Sequence, residues 1–242
     1  MSAIRIENLT KRYKDVTAVD GLSLTIEQGE LFSLLGVNGA GKTTTIKMLC
    51  GLTTPTSGDA YLHGKSISKA SAEVKALIAV SPQETAVARG LSVQENLELI
   101  CGVHGLSKEK RAAKITEVTR LLGLDDVLRR KAGKLSGGWQ RRLSIAMALI
   151  SEPEILFLDE PTLGLDVLAR SDLWELIRAL KGKVTIVLTT HYMEEAEALS
   201  DRIAIMARGR LIIYGTPEEI KVSVGADSIE HAFVTIVKGA TK

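Results

Sequence analysis

Several classes of protein are disfavoured by what this 242-residue sequence contains little of. It has two cysteines, Cys50 and Cys101, at neither metal-ligand nor Cys-x-x-Cys spacing, so two buried free thiols in a reducing compartment are expected. Aromatic residues make up 4 % of the chain and the formal net charge is +2, so stacking platforms and a strong field for nucleic acid are both lacking. The basic runs Lys108-Glu109-Lys110-Arg111 and Arg129-Arg130-Lys131 therefore read as solvated helix faces. No stretch approaches about 18 uncharged apolar residues, and Arg5, Glu7, Lys11 and Arg12 interrupt any leader-like start. A cytosolic protein is expected, reaching a membrane only through a partner. His63, His104 and His231 have no neighbours at metal spacing.

What is present is patterned as α/β. Ala3–Leu9 and Leu22–Ile26 alternate apolar and polar residues, as half-buried strands do. Leu31–Leu35, Leu77–Val80, Ile155–Leu158 and Val184–Leu188 are continuous apolar runs of buried-strand length, and Ala60–Leu62 is a short strand. From about Ser92 to Leu149 the spacing changes to three and four, with a Ser92-x-x-Glu95 capping box and a second helix from Ser107 to a stop at Gly123. An all-helical lobe inserted into an α/β domain is the simplest account, and the chain is long enough for it. A helix over Val167–Leu180 between two apolar strands argues for a parallel sheet. Ile203–Met206 and Leu211–Tyr214 read as a small terminal hairpin, and Thr216-Pro217-Glu218-Glu219 as a helix start.

The chemistry centres on Gly36-Val37-Asn38-Gly39-Ala40-Gly41-Lys42-Thr43-Thr44, which fits G-x-x-x-x-G-K-[ST]. An apolar strand precedes it and helical spacing follows it, the context this motif requires. Glycines let the loop turn its N–H groups inward, and the helix start adds positive potential. Asn38, Gly39, Gly41, Lys42, Thr43 and Thr44 are the expected phosphate contacts, with Lys42 on the β/γ-phosphates and the Thr43 hydroxyl on Mg²⁺. At the end of a second apolar strand, Asp159 is the expected metal-side acid and Glu160 a general base for an attacking water. Leu135-Ser136-Gly137-Gly138 opens an apolar helix, where Ser136 can cap and Gly137 and Gly138 admit a second anion.

These three motifs, which the chain carries in the order Gly36–Thr44, Leu135–Gly138, Asp159-Glu160, closely resemble over nearly the whole chain the nucleotide-binding subunits of ATP-binding cassette (ABC) transporters. Trp139 departs from the glutamine usual at the fifth signature position. The resemblance implies an α/β P-loop NTPase core with a mostly parallel sheet, an N-terminal antiparallel β subdomain and an inserted α-helical lobe. It also implies one domain over 1–242: core at 1–83 and 153–221, lobe at 84–152, short tail at 222–242. Tyr13 matches the aromatic that stacks on adenine, and Gln83 the glutamine that reaches Mg²⁺ and the attacking water. Gly164-Leu165-Asp166 matches a loop crossing the dimer interface, and His191 the histidine on the γ-phosphate.

The implied activity is hydrolysis of ATP with Mg²⁺ to power transport through a separate transmembrane permease subunit. Two cassettes, identical or related copies, would sandwich two ATP molecules at the cytoplasmic face of the membrane. Val80-Ser81-Pro82-Gln83-Glu84, Met193–Glu197, Gly215–Glu219 and the tail segment Ser228–Phe233 resemble drug, antibiotic or sodium-ion efflux subunits. The alternative is a soluble ABC-type ATPase of translation or DNA repair. Such proteins typically carry two cassettes or a long coiled coil; one cassette and no heptad run are found here. A nucleotide-binding regulator without turnover fits less well, because Glu160 is present.

Overall fold

The computed structural model describes residues 1–239. The chain runs through β1 (Ser2–Tyr13), β2 (Val16–Glu27), β3 (Leu31–Leu35), α1 (Lys42–Leu49), β4 (Ser57–Leu62), β5 (Lys65–Ser66), α2 (Ser71–Leu77) and β6 (Ile78–Ser81). Three α-helices follow with no named strand between them: α3 (Val93–Val103), α4 (Lys108–Leu121) and α5 (Gly137–Leu149). The chain then alternates again through β7 (Ile155–Asp159), α6 (Val167–Leu180), β8 (Thr185–Thr190) and α7 (Met193–Leu199). It ends with β9 (Arg202–Ala207), β10 (Arg210–Gly215), α8 (Pro217–Ser223) and α9 (Ile229–Gly239).

The strands form two sheets. The antiparallel one has the order β2-β1-β4-β5, and the larger has the order β10-β9-β3-β8-β7-β6. In the larger sheet every pairing from β9 to β6 is parallel, and only β10 runs against its neighbour. β3, β7 and β8 are buried at every residue, as parallel strands covered on both faces must be. The expected terminal hairpin is real as a turn, but β9 pairs with β3 and so joins the main sheet. The Leu77–Val80 run is not a fully buried strand. Leu77 closes α2, and Ile78, Ala79 and Val80 are half-buried because β6 is the sheet edge.

Alternate side chains of the large sheet feed two cores. Phe32, Leu34, Phe157 and Val187 face Ile4, Ile6, Leu22 and Ile26 of the antiparallel sheet, together with Ile46 and Leu49 of α1. On the opposite face Leu31, Leu156, Leu158, Ile186 and Leu188 pack with Leu97, Val118, Leu143, Ile145 and Leu173 from α3 to α6. The helical segment is therefore continuous in packing with the sheet. A third cluster holds Leu35, Ala196, Ile203, Ile205, Ile220, Ile229, Ala232 and Phe233, so α9 is seated beneath the end of β3. Of the tail expected over 222–242, residues 240–242 lie outside the described residues.

Helix starts follow their caps. Ser92 and Glu95 make both bonds of a capping box at α3, and Thr216 and Glu219 do so at α8, with Pro217 at the first turn. Ser107 caps α4 by accepting from Lys110 N, and Asp166 caps α6 by accepting from Ala169 N. Both cysteines are free and buried. Among the described residues no helix is long and apolar enough to cross a membrane.

Candidate nucleotide site

Strand order decides which residues meet. β3, β8, β7 and β6 are consecutive and parallel, so their C-terminal ends share one edge of the sheet. Leu35 pairs with Thr190, Asp159 with Thr189 and Ser81 with Leu158. The Gly36–Thr44 loop, His191, Asp159-Glu160 and Gln83 each follow one of these ends. Ligands of open α/β sheets bind outside such ends.

The loop is shaped for an anion. Gly41 has φ +105°, and a Cβ there would lie 2.5 Å from Ala18 O, so no side chain fits. Gly39, at φ +83°, has open space where a Cβ would project. α1 starts with no side-chain cap and no acid in its first turn, leaving its N-terminal dipole uncompensated by the chain. Lys42 is folded under the loop at 4 % exposure, with Nζ donating to Gly36 O at 2.7 Å and Val37 O at 3.4 Å. Burial holds its pKa below the usual lysine range, and the Glu160 carboxylate works against that shift.

Four carboxylate contacts complete the cluster. Glu160 Oε1 lies 3.4 Å from Lys42 Nζ, and Glu160 Oε2 lies 3.0 Å from His191 Nδ1. Thr43 Oγ1 donates to Asp159 Oδ1 at 3.2 Å, and the Thr189 hydroxyl donates to the same oxygen. Glu160 takes φ +47°, a left-handed backbone for a non-glycine residue, held by its N–H donating to Thr189 O and Thr189 Oγ1. That turn sends successive carboxylates different ways: Asp159 to Thr43 and Glu160 to Lys42 and His191. One carboxylate beside one hydroxyl at the phosphate loop is a donor set that could hold a Mg²⁺ shared with a nucleotide, an ion that keeps most of its shell as water and phosphate. Among the described residues there is no cluster of three or more His, Cys, Asp and Glu that could hold a metal ion.

Not every expected residue joins this cluster. Tyr13, at the end of β1, is 46 % exposed, with Lys11 Nζ 4.9 Å above its ring. Asn38 and Gln83 are exposed, and Thr44 is half-buried. Ser136 occupies the N-cap of α5, but its side chain accepts no capping bond, contrary to expectation. Its backbone carbonyl instead takes Gln140 N–H, and the hydroxyl is left for another group. Gly137 and Gly138 approach Leu165 and Ala169, the residues around the start of α6. Trp139 packs into the helical core and carries the Arg142 guanidinium 4.7 Å above its ring, so the departure at this position is absorbed by a local stack.

Three further side chains had no sequence signal beyond a polar residue in a helix or strand. Thr189 bonds Asp159 and the Glu160 backbone from an apolar strand. Arg141, 4 % exposed, donates to Pro82 O and Gln83 O. Glu195 is fully buried and accepts from Trp174 Nε1 at 3.0 Å; burial raises its pKa, opposed by the hydroxyls of Thr190 and Thr162, by Trp174 and by the charge of Arg170. Only the finished fold turns these residues inward.

A glycine loop between strand and helix, at the switch edge of a parallel sheet with a buried lysine and two strand-end carboxylates, defines a P-loop nucleotide-binding protein. Comparison narrows the class. The profile of the ABC transporter family matches residues 19–163. The probable multidrug ABC transporter ATP-binding protein YbhF of Escherichia coli (strain K12) is 38 % identical over 242 residues, covering 98 % of this chain and 42 % of YbhF. The Nod factor export ATP-binding protein I of Burkholderia pseudomallei (strain 1710b) is 42 % identical over 233 residues, covering 95 % of this chain and 76 % of that protein. A solved structure of an ATP-binding subunit of an ABC transporter superposes with a TM-score of 0.85 at 28 % identity, covering 97 % of this chain and 99 % of the other. The chain belongs to the ABC transporter family. It spans less than half the length of YbhF.

Proposed function

We propose that this chain binds and hydrolyses ATP to drive export through a separate transmembrane permease subunit. The observation that carries this reading is the convergence of Lys42, Thr43, Asp159, Glu160 and His191 at the ends of three neighbouring parallel strands. The loop from Gly36 to Thr44 cradles the phosphates with its N–H groups, and Lys42 turns from Glu160 towards them. Thr43, Asp159 and Gln83 would hold Mg²⁺, which would neutralise phosphate charge. Glu160, held at 3.0 Å by His191, accepts the proton of the attacking water, and His191 and Gln83 keep the γ-phosphate and water in line. Tyr13 stacks on the adenine.

Ser136, Gly137 and Gly138 serve the phosphates of a second nucleotide-binding subunit, identical or related, so that each site is a composite of two chains. The contacts of Gly137 and Gly138 to Leu165 and Ala169 support this, because the segment packs on the loop after β7 and its serine hydroxyl is left uncapped. We take the described residues as one nucleotide-binding domain, with lobe 84–152 and a C-terminal segment from 222. It works at the cytoplasmic face of the membrane, peripherally, held by the permease. Similarity to a probable multidrug transporter protein and a Nod factor export protein supports export over import.

The test is twofold. The purified chain should hydrolyse MgATP with turnover that rises with protein concentration as pairs form. It should also co-purify with a hydrophobic membrane protein. Recovery with ribosomes or DNA, or the absence of any turnover in the paired form, would overturn the reading.

A further inference from the structure

Arg141 has no place in the machinery described so far, yet it is among the most expensively buried groups in the chain. It sits in the second turn of α5, the helix opened by Ser136-Gly137-Gly138, and is 4 % exposed. Its Nη1 donates to Pro82 O at 2.6 Å and its Nη2 to Gln83 O at 2.6 Å. A guanidinium stays charged at any physiological pH, so the cation is buried. Desolvation lowers its pKa, and only the more distant fields of Asp159 and Glu195 oppose that. Its fork is therefore matched to two backbone carbonyls and not to a carboxylate. A cavity of about 290 Å³ lies beyond Pro82, and a second of about 370 Å³, lined by Gln83, Gly137, Arg141, Leu163, Gly164 and Leu165, lies at the fork itself. With open volume on either side, packing alone does not hold this loop.

We propose that Arg141 is a positioning residue that couples two nucleotide sites: it pins the backbone of Gln83, which serves this chain's own phosphate loop, to the helix whose start serves the partner's. The proposal rests on the composite-site reading above. Withdrawing the Pro82-Gln83 backbone from α5 would take both carbonyl acceptors from a largely desolvated cation, a costly way to break a buried charged contact. Gln83 and the Ser136–Gly138 segment consequently move as one body. Closure of that segment on the partner's ATP then carries Gln83 into place over the chain's own ATP, and withdrawal removes it.

The experiment compares the full chain with Arg141→Gln and Arg141→Lys by amide hydrogen exchange, ATP calorimetry and steady-state hydrolysis. In Arg141→Gln, exchange over residues 83–87 should rise about tenfold or more while exchange over α1 is unchanged. Its affinity for ATP should stay within about twofold, whereas kcat should fall about a hundredfold and the dependence of rate on ATP should lose its sigmoidal shape. Arg141→Lys keeps the charge but spans only one carbonyl, so it should fall between the two and also decides the matter if the glutamine variant does not fold. Unchanged exchange over 83–87 in the folded variants would overturn the proposal, as would a loss of ATP affinity equal to the loss of turnover. Absence of hydrolysis by the unmodified chain would sink the proposed function instead, and the exchange measurement would still report on the pin.

Discussion

Replacing Lys42 separates the ion pair seen in the structure from the phosphate contact proposed for the same ammonium group. Nζ lies 3.4 Å from Glu160 Oε1, with both side chains under a tenth exposed. Removing one member of such a buried pair costs about 3–5 kcal/mol. His191 still reaches the other Glu160 oxygen at 3.0 Å, which places Lys42→Met near the lower bound, about 3 kcal/mol. For a chain of this size that lowers Tm by about 6–12 °C. With nucleotide, the lysine makes a charge-assisted bond to phosphate worth about 1.5–3 kcal/mol, so Kd for ATP should weaken about 10- to 150-fold. The double variant Lys42→Met/Glu160→Gln removes both buried charges and should regain most of the lost Tm without regaining affinity. Differential scanning calorimetry and ATP titration calorimetry read the two quantities independently. An unchanged ATP Kd in Lys42→Met would refute the phosphate assignment, and a double variant melting no higher than Lys42→Met would refute the ion-pair argument.

Other expected outcomes follow from the same cluster and its surroundings. Glu160→Gln should retain ATP binding yet lose about 10²–10⁴ in kcat and accumulate an ATP-bound pair, visible by size-exclusion chromatography with ATP; near-native turnover would remove Glu160 from the base role. Glu195 has a folded pKa raised by burial above its unfolded value, so it contributes stability fully present below about pH 4.5 and lost as pH rises through the folded value. Glu195→Gln should cancel that component, so the difference in Tm between variant and parent should shift in the variant's favour as pH rises above that point. A pH-independent difference would mean that the folded and unfolded pKa values coincide. Burial pushes the Cys50 thiol up and raises that of Cys101, so neither should react with iodoacetamide at about pH 8 until the chain is unfolded.

Much of the architecture was legible because burial leaves periodic traces. Leu31–Leu35 matched β3, Val167–Leu180 matched α6, and the capping box at Ser92 and the helix-start residues Thr216–Glu219 marked their helices. Strand lengths were underestimated at β1 and β2, where Thr10, Lys11, Arg12 and Tyr13 continue the ladder through register shifts that break the alternation. α2 and α7 have seven residues each, too short to show a helical period. At the site, the glycine loop and the strand-end acids could be named, since each has a local signature. The pairing of Glu160 with Lys42 and His191 could not, because it depends on β8 lying between β3 and β7. Arg141 and Glu195 were invisible for a related reason: a charged residue on a helix is ordinarily solvated, and only tertiary placement turns these two inward.

The position of β8 between β3 and β7 has a consequence for how the protein is made. The phosphate loop leaves the ribosome early, but the strand that flanks β3 and the histidine that meets Glu160 come from near the other end of the chain. Non-local parallel pairing is slow to form, and it cannot begin before Thr185–Thr190 has emerged. A nascent or truncated chain ending before β8 would carry every residue of the glycine loop and still lack the site. Nucleotide bound at the proposed site would therefore stabilise only chains whose synthesis has passed His191, leaving products that stop before it to proteolysis.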